Sequence, residues 1–189
     1  MNTGIPLLIY GFTPADLRGL KIRVQQSPTN VRMMELLGGS ATPMGFGDVY
    51  TALQSQMLDG AENNELALTD NGHGDVCKYY SYTMHQMIPD ILIGNLDFME
   101  SLSEEERAIF DEGFQILNQT QRDAWETAVE EAKNTAENEQ GVNFSYPDIT
   151  PFQEAVAPMH QEMLENYPDL APIYELIQAH NAEYPADSQ

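Results

Sequence analysis

A strand pattern followed by a helix pattern occurs twice between residues 19 and 60, and this repeat constrains the fold more than any other feature of the chain. In Gly19 to Val24, apolar side chains alternate with Lys21 and Arg23, which is the period of a strand with one face in a core. Ser27 and the proline after it suit the start of a helix, and a later pair of glycines suits its end. We therefore expect Arg23 on the strand face opposite the apolar residues.

The second unit begins with the short run Ala41 to Phe46 and continues into a helix whose apolar stripe ends at Asp59-Gly60. Strands that alternate with helices in this way predict an α/β sheet with covering helices. In open sheets of this kind, ligands bind outside the carboxyl ends of the strands.

The rest of the chain adds predicted strands and one long helix. Further strands are predicted at Pro6 to Tyr10, between Tyr79 and Asn95 as two strands divided at Pro89, and at Val142 to Tyr146 as an edge strand. Ser103 and Glu106 form a capping-box pattern, which predicts one long helix, or two joined end to end, from Glu104 to about Asn138. Another helix is predicted to start near Thr150.

The charge of the chain limits its partners. Thirty acidic and eight basic residues give a net charge of −22 at pH 7. Such a surface repels phosphate groups over a Debye length of ~8 Å in physiological salt, which argues against nucleic acid and anionic membranes as partners. The first residues resemble neither a signal peptide nor a membrane anchor.

The usual motifs of catalysis and metal binding are absent from the sequence. It has no GxSxG elbow, no phosphate-binding GxxxxGK loop, no HExxH helix and no CxxC pair. The acidic run Asp70 to Asp75 lacks the glycine and the glutamate that a calcium loop needs at its sixth and twelfth positions, so we expect a turn there. We expect no enzymatic activity, no metal and no cofactor.

Three short blocks, DLRGLKIRV, TPMGFGDVYTALQ and DGAENN, follow one another between Asp16 and Asn64. In order and separation they match blocks of the substrate-binding proteins of tripartite ATP-independent periplasmic (TRAP) transporters. The chain therefore resembles the C-terminal part of such a protein, most strongly from Asp16 to Pro89 and more weakly to about Tyr167.

The resemblance implies an α/β fold that is the C-terminal lobe of a two-lobed periplasmic-binding-protein-like fold with a long helix, the N-terminal lobe being missing. It implies a periplasmic receptor for an organic acid, either a sugar acid such as a uronate or sialate or a dicarboxylate, which it passes to TRAP membrane permease subunits. It implies no catalysis. Carried over by motif, Arg23 pairs with the ligand carboxylate, Phe46 packs against the ligand and Asn63 hydrogen-bonds it.

Residue chemistry supports Arg23 independently, because its guanidinium offers a planar fork of donors that fits a carboxylate and never loses its charge. An alternative for Arg23 is a surface ion pair with Asp16 or Asp48. Phe46 is equally compatible with a core ring at a helix start, and Asn63 with the local chemistry of a turn.

Glu62, His85 and Gln86 complete the predicted ligand-binding residues. Relatives with a tryptophan directly after this glutamate hold a cation together with a keto acid, and the asparagine found here argues against a metal. His85 and Gln86 lie in the extended YTMHQM stretch, which can reach the same cleft, although an inward-facing packing role fits them equally well.

The resemblance also divides the chain. Residues 1–88 and 129–189 are expected to form the ligand-binding lobe, and residues 89–128, a strand and the start of the long helix, to form a crossover segment that normally packs on the first lobe. Without that lobe, the apolar groups of the crossover segment need another cover. We therefore expect the isolated chain to be marginally stable, dimeric or rearranged, and to bind its ligand weakly.

Two other functions remain open. A small α/β lyase or isomerase would use His85 with Asp90 as an acid/base pair, although a separation of five residues has no special meaning in a strand. An acidic interaction protein would dock a partner on the Glu-rich helix from Ser103 to Gly141, a charge run that is more simply a solvated helix face.

Overall fold

Residues 4–7 and 13–183 are described by a computed structural model. The strands are β1 (Ile5–Leu7), β2 (Lys21–Val24), β3 (Ser40–Pro43), β4 (Gly60–Ala61), β5 (Tyr79–Ser81) and β6 (Asn143–Ser145). The α-helices are α1 (Pro28–Leu36), α2 (Val49–Gln54), α3 (Leu66–Thr69), α4 (His73–Val76), α5 (Leu96–Ser101), α6 (Glu104–Asn138), α7 (Thr150–Asn166) and α8 (Ala171–Glu183). Short 3₁₀ helices lie at Pro14–Leu17, Phe46–Asp48 and Pro168–Leu170.

The strands form one mixed sheet in the order β3-β2-β4-β1-β5-β6. β2 is parallel to β3 and to β4, and β5 is parallel to β6. β1 is antiparallel to its neighbours β4 and β5, so every strand except β1 points the same way. The carboxyl ends of those strands therefore share one edge of the sheet, here termed the carboxyl edge.

Helices cover both faces of the sheet. On one face, Ile22 and Val24 of β2 belong to a core that also contains Met34 of α1 and Phe152 of α7. Successive residues of a strand point to opposite faces, so Arg23 lies on the other face, as its spacing predicts. On that face Ala61, the register partner of Arg23, packs in a core with residues of α2.

β4 sits so close to β1 that only glycine fits at its first position. A Cβ atom added to Gly60 would lie 2.7 Å from Leu7 Cδ2 and 2.8 Å from the carbonyl oxygen of Pro6. Because these contacts are shorter than van der Waals distance, the glycine allows β4 to pair between β1 and β2. This pairing brings the residues after β4 to the carboxyl edge.

The long helix α6 begins and ends where the sequence predicts, as one continuous helix of 35 residues. Its capping box is formed: Glu106 N donates to Ser103 Oγ, and Ser103 N donates to the Glu106 carboxylate. Its buried residues, Ala132 and Ala136, lie in its C-terminal half, which packs against α3. No helix among the described residues is long and apolar enough to cross a membrane.

The other predicted elements are confirmed in part. The predicted strands that begin at Gly19, Ala41 and Val142 appear as β2, β3 and β6. The prediction for Pro6 to Tyr10 agrees at its start with β1, and residues 8–10 lie outside the described residues.

Two predictions on loop segments need correction. The second strand predicted before Asn95 is wrong, because residues 83–94 pair with no strand of the described residues and are largely exposed. Branched side chains alone do not make a strand where no neighbouring backbone can take up its hydrogen bonds. The turn predicted at Asp70 to Asp75 is present only in its first half, because α4 begins at His73, directly after Gly72, whose φ is +68°.

Candidate functional site

The three residues with the strongest motif match are brought together at the carboxyl edge. Arg23 lies near the end of β2, Phe46 follows β3, and Asn63 follows β4. Since β3, β2 and β4 are parallel neighbours, residues after their ends meet at one place. Arg23, Phe46 and Asn63 line a common hollow of about 460 Å³.

Arg23 is held rigidly at the wall of this hollow. The residue is only 4% exposed, and its Nε and Nη2 groups donate to the carbonyl oxygen of Met44 at 3.0 and 2.9 Å. Its Nη1 atom lies 3.7 Å from Glu62 Oε1, an ion pair beyond hydrogen-bond distance. Burial lowers the pKa of Arg23 and Glu62 opposes this, but a guanidinium stays charged at neutral pH. The alternative of a surface ion pair is therefore wrong, because the arginine is buried and its partner is Glu62.

Glu62 and His85 form a buried group beside Arg23. Glu62 is 3% exposed, and its Oε2 atom lies 4.0 Å from Nε2 of His85, whose side chain is fully buried. His85 Nδ1 shares a hydrogen with Thr83 Oγ1 at 2.6 Å. Met84, between them, has a φ of +45°, a conformation that is rare for a residue other than glycine and that turns the chain sharply here. A buried cation needs a counter-charge, and Glu62 supplies it.

Phe46 stands in the hollow with its ring partly in solvent. It is 42% exposed, which corrects the alternative of a core ring. The guanidinium carbon of Arg23 lies 5.5 Å from the centre of the Phe46 ring, a cation–π distance. The ring of His73 lies 5.8 Å from it at an angle of 56°. Burial, together with repulsion from Arg23, lowers the pKa of His73 to about 4, so this imidazole is neutral at neutral pH.

Asn63 forms the turn that the sequence predicts, and its side chain also lines the hollow. Its backbone pairs with Gly4, its carbonyl oxygen accepts from Tyr80 Oη at 2.9 Å, and its Oδ1 accepts from Asn64 N at 2.8 Å. These bonds fix the turn. The side chain nevertheless lines the hollow, where its Nδ2 donors make no hydrogen bond with the described residues.

Of the six predicted ligand-binding residues, Glu62, His85 and Gln86 do not line the hollow. His85 lies beside Glu62, and Gln86 Nε2 donates to Asn30 Oδ1 of α1 at 3.2 Å. The carboxylate nearest to His85 is Glu62, whereas Asp90, the partner proposed for a lyase, lies in the exposed segment after β5. Among the described residues, no three His, Cys, Asp or Glu side chains come together as metal ligands.

Sequence reasoning misses several residues of the site. It indicates only a plain turn for His73 and a solvated helix for Trp125. The hollow is further lined by Gln25, Asn64, Leu66, Ala67, Asn71 and Trp125. The one signal for Trp125 is that it is the single tryptophan of the chain, set in a helix otherwise rich in glutamate.

The chain belongs to the DctP family, the bacterial extracellular solute-binding proteins of family 7, whose model matches residues 12–166. It is 43% identical over 163 residues to the uncharacterized protein YiiZ of Salmonella typhimurium, and 31% identical over 151 residues to the sialic acid-binding periplasmic protein SiaP of Vibrio cholerae. These alignments cover 86% and 80% of this chain, and 50% and 47% of the relatives. The chain thus spans about half the length of the curated relatives it matches.

Solved structures extend the match to the fold. A TRAP periplasmic solute binding protein from Anaerococcus prevotii with bound D-glucuronate is 60% identical, with a TM-score of 0.93 over 98% of this chain and 60% of that one. One from Chromohalobacter salexigens, also with D-glucuronate, is 32% identical, with a TM-score of 0.91 over 94% of this chain and 60% of that one. The TRAP resemblance and the predicted α/β fold class are confirmed.

Proposed function

We propose that this chain is the ligand-binding part of a periplasmic TRAP-type receptor for hexuronates, with D-glucuronate as the first candidate and D-galacturonate as the second. The observation that carries the proposal is the buried guanidinium of Arg23 at the wall of a hollow that Phe46 and Asn63 also line. Support comes from the Anaerococcus relative with bound D-glucuronate and from a Sulfitobacter relative, 30% identical, with bound β-D-galacturonate.

In this proposal Arg23 binds the ligand carboxylate. Two of its five N–H donors go to the carbonyl of Met44, which leaves donors on Nη1 and Nη2 for the ligand. The bonds to Met44 fix the plane of the guanidinium before the ligand arrives, so little side-chain entropy is lost on binding. Glu62 balances the charge of Arg23 from 3.7 Å away without hydrogen-bonding to it, so the ligand carboxylate would accept the hydrogen bonds that Glu62 does not.

Amide side chains are suited to the hydroxyl groups of a sugar acid. Asn63, Asn64, Asn71 and Gln25 all line the hollow, and amides both donate and accept hydrogen bonds as hydroxyls do. Phe46 offers an apolar surface among them. A small dicarboxylate would leave these amides without partners, which favours a sugar acid such as a uronate. A sialate ranks after the two hexuronates, on the precedent of SiaP.

The proposed protein is a receptor and not an enzyme. His85, the residue that a lyase would use, is buried beside Glu62 and does not line the hollow. After binding, the receptor would deliver the acid to TRAP membrane permease subunits from the periplasmic side.

For the domain arrangement, residues 1–88 and 129–189 are proposed as the ligand-binding lobe and residues 89–128 as a crossover segment. The crossover segment exposes apolar side chains, among them Ile91, Ile93 and Phe98. The segment, which includes the first part of α6, also lines an apolar hollow of about 710 Å³ by itself. Either another part of the receptor or a second copy of the chain would cover this surface.

Calorimetric titration with D-glucuronate and D-galacturonate tests the proposed ligand. The unmodified protein is expected to bind, and Arg23→Lys to bind at least about 30-fold more weakly, because an ammonium cannot replace the planar fork. Arg32→Lys is the matched control, since Arg32 pairs with Glu162 away from the hollow and its replacement leaves affinity unchanged. Equal loss in both variants, or no binding of any uronate, would contradict the proposal.

A chimera tests the domain proposal. The part of the Anaerococcus protein that has no counterpart here is joined to this chain, and both forms are compared by sedimentation. We expect the chimera to be monomeric and to bind D-glucuronate more tightly, and the chain alone to self-associate. A chain that is monomeric alone and binds as tightly as the chimera would argue against the crossover assignment.

A further inference from the structure

Trp125 stands on the face of α6 that turns towards the body of the protein. Positions 125, 129, 132 and 136 recur at steps of four, three and four residues, which places them on one stripe of a helix. Two members of the stripe, Ala132 and Ala136, are buried, and Ala136 packs with Leu68 of α3. Trp125 therefore points to the same side, two turns before Ala132, where α6 passes the carboxyl edge.

Along this stripe, alanine occurs where α6 packs on α3, and tryptophan occurs where α6 borders the hollow. Alanine allows α6 to lie directly on α3, whereas Trp125 borders an open space that Arg23 and Phe46 also line. Neither Trp125 nor Phe46 belongs to a buried core cluster. A ligand that covered these rings would gain the free energy of burying two large apolar surfaces.

We infer that Trp125 and Phe46 are the aromatic walls against which the pyranose ring of a hexuronate packs while Arg23 holds its carboxylate, so that the site selects cyclic over acyclic sugar acids. The C–H groups of a pyranose form a rigid apolar face, and aromatic rings bind such faces. An acyclic acid has no such face and loses more conformational entropy when it is ordered. This inference rests on the proposed function and adds a selectivity to it.

Fluorescence tests the contact directly, because the chain has a single tryptophan. The unmodified protein is titrated with D-glucuronate, and binding is followed by heat and by emission. We expect the emission of Trp125 to move to shorter wavelength as water leaves the ring. The emission change should reach half-saturation at the same ligand concentration as the heat of binding. Binding by heat without an emission change would overturn this inference and leave the proposed function standing, whereas the absence of both signals would overturn both.

Variants test the selectivity. Trp125→Leu is expected to bind D-glucuronate about tenfold more weakly, and to change the affinity for D-gluconate, an acyclic acid, by less than about twofold. Trp125→Phe should restore most of the loss. Ile116→Ala is the control on the same helix, since Ile116 is exposed and lies outside the hollow. Equal losses for the cyclic and the acyclic acid, in variants that keep the circular-dichroism spectrum of the unmodified protein, would refute the inference.

Discussion

His73 should make the stability of the protein fall between pH 6.5 and pH 4. Burial and the nearby charge of Arg23 lower its pKa from 6.5 to about 4 in the folded state. In the unfolded chain the imidazole takes up a proton near pH 6.5. Over this window the unfolded state therefore binds more protons than the folded state, and lowering the pH favours unfolding. Above pH 6.5 both states hold neutral histidine and the effect vanishes.

The size of the effect follows from the two pKa values. The interval from 6.5 to about 4 corresponds to about 3 kcal/mol, lost progressively as the pH falls and fully lost below the folded pKa. His73 is 1% exposed, so solvent does little to reduce this cost. A loss of this size is a large fraction of the stability of an ordinary domain.

Urea unfolding followed by far-ultraviolet circular dichroism measures this loss. The free energy of unfolding is determined between pH 7 and pH 4 for the unmodified protein and for His73→Gln, which cannot take up a proton. The carboxylates titrate in both proteins, so the difference between the two losses of unfolding free energy isolates the contribution of His73. We expect this difference to reach about 3 kcal/mol at pH 4. His160→Gln, at an exposed histidine, should follow the unmodified protein. Parallel pH profiles for the unmodified protein and His73→Gln would refute the reasoning.

Three further predictions concern residues that support the site. Gly60→Ala should lower the free energy of unfolding by about 2 kcal/mol, since its Cβ would meet Leu7 and Pro6; unchanged urea unfolding would show that the strands can separate without cost. Glu62→Gln removes the counter-charge of buried Arg23 and should cost about 3 kcal/mol, and an unchanged melting temperature would speak against this pairing. Burial raises the pKa of Cys77 to about 12, so the folded protein should resist iodoacetamide at pH 8 and react in urea, as mass spectrometry would report; rapid alkylation of the folded protein would disagree.

Local patterns are enough to predict the parts of the fold that local interactions decide. The bounds of α6 follow from its capping box and from the lack of proline within it. The meeting of Arg23, Phe46 and Asn63 follows from the order of parallel strands once the strand–helix repeat is recognised. That these residues bind a ligand stays a prediction.

The features that local patterns cannot predict depend on distant parts of the chain. Glu62 and His85 approach only because β4 and β5 flank β1, a strand order that no local pattern encodes. Trp125 is about a hundred residues from Arg23 in sequence, and it joins the hollow because Ala132 and Ala136 dock α6 on the body. The branched residues between 83 and 94 favour a strand by composition, but β propensity does not reveal whether a pairing partner exists.

The central claim is that a fixed guanidinium recognises the negative charge of a sugar acid. A calorimetric comparison of D-glucuronate with D-glucuronamide, on the unmodified protein, changes only the group that Arg23 would bind. The account predicts that the amide binds at least about 30-fold more weakly, since it cannot form the two charge-assisted hydrogen bonds. Equal affinity for the acid and the amide would contradict it.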